Sequence, residues 1–319
     1  MPNTITDGTA QSTPYAVSSF QLPGYPLIAG PFTHLVAERD RLAALTWQHF
    51  DVRRAGVTLG AEIDGVDLTA DQPGEVVAEL RRALHEYKVI FFRDQPLTAA
   101  QHVTFAARFG TLEVHPFIPS NTEQPELVRF EKTPTVAGVE NIWHHDVTWR
   151  PQPSMGAILH AIAVPEFGGD TLFSDMYAAY EALDAETRTR IDDLTATHDY
   201  TRAFGRGQSP EAQEAMRAQH PAVSHPVVCT HEATGRRHLY VNRIFVDRID
   251  GLDPADSHDL LDRLCRQADY PEHQVRLHWE PDTVAFWDNR AVQHYAASDY
   301  WPQARVMERA SIVGNRPAR

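Results

Sequence analysis

The sequence predicts a mostly β protein with helical insertions, folded as an antiparallel jelly roll. Short apolar runs bounded by turn residues recur along the chain, and no regular alternation of strands and helices suggests a parallel sheet. The length of 319 residues accommodates one large domain with a sizeable core. Because we find no repeat and no clear internal boundary, we predict a single domain over residues 46–319, preceded by an N-terminal arm.

The first 45 residues are rich in Ser, Thr, Pro and Gly, with a few aromatic residues such as Phe20, Tyr25 and Phe32. This composition predicts a flexible N-terminal tail or arm over residues 1–45, whose later part packs on the surface or on a neighbouring subunit. The start of the chain has neither the basic segment nor the apolar segment of a secretory signal.

The regular elements are predicted from apolar periodicity. Glu75 to Tyr87 has the spacing of an amphipathic helix, and Val89 to Phe92 is a wholly apolar, buried strand. Thr98 and Gln101 form a capping box for a second helix that Gly110 ends. Further strands are predicted at 59–68, 127–130, 157–161, 171–174, 227–230, 238–242, 283–287 and 306–313, and further helices at 176–183, 185–194 and 255–267.

Charge and cysteine content exclude several classes of partner. The net charge of −14 argues against nucleic acid or anionic membranes, although arginines in a pocket can still bind a small anion. The sequence contains no apolar run long enough to span a membrane. Two cysteines, Cys229 and Cys265, are too few for a disulfide framework, so a reducing cytoplasmic location is the expectation.

The segment from Asn141 to Trp149 contains the strongest indication of chemistry. On a strand, His144 and Asp146 point to the same face while His145 points away. His294 follows a predicted strand and an Asp-Asn turn, and it would complete the 2-His-1-carboxylate arrangement that suits divalent iron. Taken alone, His-x-Asp is more often a surface pair, and a lone histidine after a strand is more often a polar loop residue.

Two arginines indicate anion binding. Arg305 and Arg309 are four residues apart, which places them on one face of a strand with α-carbons about 13 Å apart. Guanidinium groups bind carboxylates and sulfonates through paired hydrogen bonds. A surface strand with solvated arginines is the alternative, but the apolar run from Ala310 to Val313 favours a strand that is at least half buried.

Four motifs occur in order between about Gly60 and Pro317. They are Trp143-His144-x-Asp146-Val147-Thr148, Gly168-Gly169-Asp170-Thr171, Trp287-Asp288-Asn289-Arg290 with Gln293-His294-Tyr295-Ala296, and Arg305-x-Met307-x-Arg309-Ala310. Together they resemble the taurine dioxygenase family of iron(II)/2-oxoglutarate enzymes. The resemblance implies a double-stranded β-helix that binds Fe(II), 2-oxoglutarate as cosubstrate, and O2. It also implies a homodimer or homotetramer.

The same resemblance implies roles for individual residues, carried over position by position. The metal ligands would be His144, Asp146 and His294; the distal carboxylate of 2-oxoglutarate would meet Thr171 and Arg305; the anionic group of the substrate would meet Arg309 and His115; and Phe204 and Phe245 would line the substrate site. By themselves, these two phenylalanines are equally well explained as core residues. The implied reaction is hydroxylation of a small anionic substrate, such as the sulfonate taurine, which releases sulfite and an aldehyde with succinate and CO2.

Two positions depart from the taurine-specific pattern. Ile118 stands where a tyrosine, and Glu140 where an asparagine, contacts the substrate amine in taurine enzymes. Either Glu140 pairs with an ammonium group, or the substrate is another sulfonate, an alkyl sulfate, an aryloxyalkanoate or an amino-acid-derived carboxylate. Outside the family, a non-catalytic jelly-roll binding module or a zinc hydrolase remains open; Thr171 and Arg305 argue against a hydrolase, which needs no site for a cosubstrate carboxylate.

Overall fold

A computed structural model describes residues 20–24, 27–115 and 118–319. The strands are β1 (Phe20–Gln21), β2 (Ile28–Ala29), β3 (Asp51–Arg54), β4 (Ala61–Asp64), β5 (Val89–Phe92), β6 (Leu127–Lys132), β7 (Ser154–Ala163), β8 (Thr171–Asp175), β9 (Thr195–His198), β10 (Val223–Pro226), β11 (Val228–Thr230), β12 (Arg237–Leu239), β13 (Val246–Ile249), β14 (Gln274–Leu277), β15 (Val284–Asp288), β16 (Val292–Ala296) and β17 (Arg305–Val313). The helices are α1 (Leu35–Ala43), α2 (Gly74–Tyr87), α3 (Ala99–Ala107), α4 (Met176–Glu181), α5 (Ala185–Ile191), α6 (Thr201–Phe204), α7 (Pro210–Gln219) and α8 (Pro254–Cys265), with 3-10 turns at Arg266–Asp269 and Pro271–His273.

Two sheets form the body of the domain. The major sheet has seven strands in the order β3-β4-β5-β15-β7-β17-β6, and the minor sheet has three in the order β14-β8-β16. Neighbouring strands are antiparallel, except for the parallel pair β4 and β5. The protein is a double-stranded β-helix with helical insertions, so the predicted fold class is confirmed.

Strand β5 shows how the layers pack. Ile90 and Phe92 point to the outer face of the major sheet, where helices α2 and α3 cover them. Val89 and Phe91 point to the inner face, toward the minor sheet. Because both faces are covered, the strand is apolar throughout instead of alternating. The major sheet is therefore a middle layer, and its inner face lies opposite the minor sheet.

The two best-marked helices form as predicted. Helix α2 buries Val76, Val77, Leu80 and Leu84 against the major sheet. Helix α3 begins with the predicted capping box: the Thr98 hydroxyl accepts from the Gln101 N–H, and the Gln101 side chain accepts from the Thr98 N–H. It ends at Ala107, before Gly110.

Part of the N-terminal arm packs on the domain as helix α1, which the sequence did not predict. Leu35 and Leu42 are buried. Residues 1–19 and Tyr25 lie outside the described residues, so the flexible tail and its boundary at residue 45 stay predictions.

Helix α1 is attached through a buried ion pair. The Lys88 ammonium is fully buried, donates to Glu38 of α1 at 3.0 Å and to the Thr58 carbonyl at 2.6 Å, and lies 3.2 Å from Asp175. Arg236 also donates to Glu38, at 2.5 Å. Burial alone would raise the pKa of Glu38, but the hydrogen bond from Arg41 and the charges of Lys88 and Arg236 outweigh burial and lower this pKa to about 2.

Both cysteines are buried free thiols. Within the described part of the chain, the helices are too short or too polar to cross a membrane.

Candidate metal centre

Three side chains predicted to bind metal converge between the two sheets. The Nε2 of His144 lies 3.9 Å from Asp146 Oδ1, and the Nε2 of His294 lies 3.8 Å from Asp146 Oδ2. One ligand atom from each residue lies within 4.8 Å of the others, and the described residues contain only this one group of metal-ligating side chains. Two imidazole nitrogens and one carboxylate oxygen at this spacing fit divalent iron.

The prediction that His144 and Asp146 share a strand was wrong. His144 makes a single two-hydrogen-bond bridge to His294 of β16, at 3.1 and 2.8 Å, and a turn begins at Asp146. Ladder pairing ends there because the Asn289 side chain, not a strand, binds the backbone of Asp146: its Oδ1 accepts from the Asp146 N–H at 2.7 Å, and its Nδ2 donates to the Asp146 carbonyl at 3.0 Å. Val147 follows with a φ of +48°, a strained conformation for a β-branched residue.

Hydrogen bonds and burial prepare the ligand atoms. The Nδ1 of His144 lies 2.7 Å from the Ile142 carbonyl, which can only accept, so Nδ1 carries a proton and the neutral ring would present the lone pair of Nε2. Burial lowers the pKa of His294 to about 3, helped by His144, so this imidazole is neutral at pH 7. Burial opposes ionisation of Asp146, but the positive charge of Arg309 prevails and holds its pKa well below the usual range. His145 points away, against Tyr240, with ring centroids 4.9 Å apart.

Arg305 supplies a buried positive charge to the inner face. It is 7% exposed, and its Nε and Nη2 have no hydrogen-bond partner among the described residues. Trp279 connects it to Thr171: the indole N–H donates to the Thr171 hydroxyl at 2.9 Å, and the Arg305 guanidinium carbon lies 5.9 Å from the indole ring centre. Because the Thr171 oxygen already accepts, its proton is left to donate. An unpaired guanidinium and a hydroxyl donor joined by one tryptophan fit a carboxylate.

Gly169 makes room for that guanidinium. A β-carbon at this position would lie 3.2 Å from Arg305 Cδ and 3.2 Å from a ring carbon of Tyr300, and the backbone has a φ of +70°. A side chain here would press on Arg305 and would also be strained, so both reasons favour glycine.

Arg309 lies next to Asp146 of the candidate metal-binding group. Its Nη1 donates to Asp146 Oδ2 at 2.8 Å, and its guanidinium carbon lies 5.0 Å from the ring centre of Phe130. The two arginines are both buried on β17, as the sequence predicted, but they face different neighbours: Arg309 has a carboxylate partner and Arg305 does not.

His115 is held as a neutral hydrogen-bond donor. Burial lowers its pKa to about 4, assisted by the positive charges of Arg309 and Arg150. The backbone N–H of Ile118 donates to its Nδ1 at 3.1 Å, so the proton of the neutral ring is on Nε2. Residues 116–117 lie outside the described residues. At the other predicted contact, Glu140 accepts from Lys132 at 2.5 Å.

An aromatic cluster begins one residue after Asp146. Phe245, Val147, Trp149 and Tyr200 are buried together. Phe204 stacks on Tyr200 with ring centroids 4.8 Å apart and on Phe245 at 6.4 Å. The structure thus groups the two predicted phenylalanines in one cluster with Val147, the residue after Asp146; Phe204 is 38% exposed and Phe245 is buried.

Known proteins share this sequence pattern. The profile of the family described as taurine catabolism dioxygenase TauD, TfdA family matches residues 51–311. The chain belongs to this family. The recognised resemblance is therefore confirmed, and it extends over most of the domain.

Three relatives within the taurine dioxygenase family have different substrates in their names. The alpha-ketoglutarate-dependent sulfate ester dioxygenase of Pseudomonas putida is 34% identical over 276 residues, covering 84% of this chain and 90% of that protein. The (S)-phenoxypropionate/alpha-ketoglutarate-dioxygenase of Sphingobium herbicidovorans is 33% identical over 276 residues, covering 83% and 96%. The crystal structure of a taurine dioxygenase from Burkholderia xenovorans aligns with a TM-score of 0.74 and 35% identity, covering 85% and 93%.

This member of the taurine dioxygenase family is an iron(II)- and 2-oxoglutarate-dependent dioxygenase. The donor atoms agree with that cofactor set. His144, Asp146 and His294 could hold iron(II), and the unpaired nitrogens of Arg305 could hold the far carboxylate of 2-oxoglutarate.

Four residues near the site had been given no role from the sequence. Asn289 lies within a recognised motif, and its amide beside an expected metal site was the available signal. Trp279, Tyr300 and Lys132 had no such signal. The contact of Trp279 with Thr171 joins residues 108 positions apart, and the contacts of Tyr300 with Arg305 and of Lys132 with Glu140 depend on loop conformations that no motif marks.

Proposed function

We propose that this dioxygenase oxidises a small sulfonate or sulfate ester at the carbon that bears the anionic group. The observation that carries this proposal is Arg309. Its guanidinium is buried beside Asp146, so a bound anion would be held next to the metal position. The neutral His115 supplies a second donor for the same anion.

On the cosubstrate side, we assign His144, Asp146 and His294 as iron ligands. Thr171 and Arg305 are assigned to the distal carboxylate of 2-oxoglutarate. Iron, 2-oxoglutarate and oxygen together supply the oxidising power, and the cosubstrate leaves as succinate and CO2.

The protein's own contribution is binding and exclusion of water. Arg309 and His115 orient the anion, so that the adjacent carbon is the one oxidised. The buried part of the aromatic cluster covers the substrate body and keeps water out. A hydroxyl on a carbon that bears a sulfonate collapses to an aldehyde and sulfite; on a carbon that bears a sulfate ester it gives an aldehyde and hydrogensulfate.

A carboxylate substrate such as an aryloxyalkanoate is the second candidate. The stacking of Phe204 on Tyr200 and on Phe245 favours it, because stacked rings offer a flat slot for an aromatic substrate. The stacked rings give no comparable reason to favour amino-acid-derived carboxylates.

Two measurements test the proposal. Anaerobic addition of iron(II) and 2-oxoglutarate should give a weak visible charge-transfer band. After oxygen is admitted, succinate release should be highest with alkanesulfonates or alkyl sulfates in a panel that includes taurine and aryloxyalkanoates. Absence of the band would refute the metal and cosubstrate assignments. Fastest turnover on aryloxyalkanoates would replace the leading substrate class with the second candidate.

The Arg309→Ala variant separates the two halves of the site. It should keep the band while raising the substrate concentration needed for half-maximal succinate release about 100-fold or more. Loss of the band would instead mean that Arg309 serves the metal or the cosubstrate.

Assembly and location stay predictions: a homodimer or homotetramer in the cytoplasm, acting on a small molecule and not on nucleic acid or a membrane. Light scattering coupled to size-exclusion chromatography measures the assembly directly.

A further inference from the structure

Lys132 is a third cation on the inner face of the major sheet. It is paired with Arg305 in the antiparallel ladder between β6 and β17, two positions beyond the pair Phe130 and Met307. Met307 belongs to the cluster between the two sheets, and Phe130 packs against that cluster. Because paired residues in a ladder share a face, and alternate residues of a strand do too, the Lys132 side chain leaves the sheet on the same side as Arg305 and Arg309.

Glu140 is the partner of this cation. Lys132 donates to Glu140 Oε1 at 2.5 Å, and the Lys132 side chain is only 14% exposed. The other carboxylate oxygen accepts from the Val139 N–H at 2.9 Å. Glu140 lies on the segment that leads into His144, and by the family resemblance it stands where taurine enzymes contact the substrate amine. Both of its oxygens are therefore already engaged.

We propose that Lys132 is a specificity-determining residue: by pairing with Glu140 it neutralises the carboxylate that could otherwise bind an ammonium group, so the enzyme selects anionic substrates that carry no amine. This inference rests on the proposed function. It narrows the substrate class to alkanesulfonates and alkyl sulfates and away from taurine.

The balance of charge at the site leads to the same selection. Iron(II), Arg305 and Arg309 bring four positive charges, whereas Asp146 and the two carboxylates of 2-oxoglutarate bring three negative ones. One positive charge remains, and a substrate with a single negative charge neutralises it. A zwitterion such as taurine leaves that charge uncompensated, while the Lys132–Glu140 pair adds nothing to the balance.

Removing Lys132 should reverse the selection. In Lys132→Met, Glu140 becomes an unpaired carboxylate, and the site is neutral before the substrate binds. An ammonium group then has a partner, and a net-neutral zwitterion matches the site. The double variant Lys132→Met/Glu140→Gln has neither charge, so its balance equals that of the native protein. The native selection should then return.

The test uses two ligands of nearly the same shape, propane-1-sulfonate and taurine, which differ in a methyl against an ammonium group. Their Kd values are measured by calorimetry without oxygen, on protein loaded with Mn(II) and 2-oxoglutarate. The native protein should bind propane-1-sulfonate about tenfold more tightly or better; Lys132→Met should move the ratio of the two Kd values toward taurine by about tenfold or more. The double variant should restore the native ratio.

Each possible result of this experiment either supports or overturns the role of Lys132. A ratio that does not move in Lys132→Met, or that moves equally in the double variant, overturns the role of Lys132 and leaves the proposed function intact. A native protein that binds neither sulfonate overturns the inference, and the proposed function falls with it only if alkyl sulfates also fail to stimulate succinate release. If Lys132→Met does not fold, as judged by thermal unfolding, Glu140→Gln alone decides: it leaves Lys132 unpaired and should shift the ratio further toward propane-1-sulfonate, and an unchanged ratio would refute the inference.

Discussion

The Asn289→Ala substitution should weaken metal binding although Asn289 is not a ligand. Its side-chain amide makes three hydrogen bonds: it accepts from the Asp146 N–H at 2.7 Å and donates to the Asp146 carbonyl at 3.0 Å and to the Ser154 carbonyl at 2.9 Å. It is 1% exposed, so little water can replace these bonds. Asp146 therefore owes its backbone position to one side chain, and the strained Val147 comes directly after it.

The magnitude follows from those three bonds. Each buried backbone group left without a partner costs about 1–3 kcal/mol, and the three losses are not additive. Some of that cost is recovered when Val147 relaxes from its left-handed conformation, which is worth about 1–2 kcal/mol. We expect Asn289→Ala to lower the free energy of unfolding by about 2–4 kcal/mol in total. Loss of a group that orients a ligand should weaken metal binding about 10- to 100-fold.

The assay needs both quantities and a matched control. Gln95 is the control: it is another buried amide with three bonds to backbone groups, accepting from the Leu68 N–H and donating to the Val66 and Arg93 carbonyls. Gln95→Ala should cost similar stability in urea denaturation while leaving the affinity for Mn(II), measured by calorimetry, unchanged. If Asn289→Ala and Gln95→Ala weaken metal binding equally, general destabilisation explains the effect and the orienting role of Asn289 is refuted.

Three further predictions concern other parts of the molecule. Arg305→Met should stabilise the protein in the absence of cosubstrate, because it removes a buried unpaired charge. The same variant should bind 2-oxoglutarate more weakly, on the order of 100-fold, as measured by titration of the charge-transfer band. An unchanged affinity would rule out the assigned carboxylate site. The pKa of Glu38 falls from 4.5 to about 2 on folding, so its contribution to the free energy of unfolding is complete above about pH 4.5 and is lost as the pH falls toward 2. In denaturant titrations, Glu38→Gln should lower the free energy of unfolding by up to about 3 kcal/mol at pH 7 and by much less at pH 3. A loss that is independent of pH would contradict this. Thr98→Ala removes the capping box of α3 and should lower stability by about 1 kcal/mol, with a loss below about 0.3 kcal/mol indicating that the cap is not needed.

The sequence was informative wherever one strong local signal decided the structure. Helix α2 followed from its apolar spacing, α3 from its capping box, and β5 from four apolar residues in a row. Helix α7 was missed because none of its residues is buried, so it has no apolar face to produce a period. Helix α1 was missed because a buried glutamate, Glu38, attaches it as much as its two leucines do.

The site likewise has features that the sequence predicted and features that it did not. The motifs that contain His144, Asp146 and His294, taken with the arginine motif and the family resemblance, were enough to predict that these side chains meet. The local backbone was not predictable, since Asn289 arrives from 143 residues further along the chain to replace strand pairing. The position of Lys132 opposite Arg305 likewise depends on the register of β6 against β17, which a single sequence does not reveal.

The ion pair between Lys88 and Glu38 bears on where the chain can be shortened. A variant that begins at residue 46 would lack α1, and the Lys88 ammonium would keep Asp175 as its one carboxylate partner. The Lys88 carbonyl accepts from the N–H of Asp288, the residue before Asn289. The buried ammonium that has lost Glu38 would therefore lie close to the residue that positions Asp146. Deleting a segment that resembles a dispensable leader in its composition would thus remove a counter-ion from the interior of the enzyme, and a safe N-terminal boundary lies before Leu35.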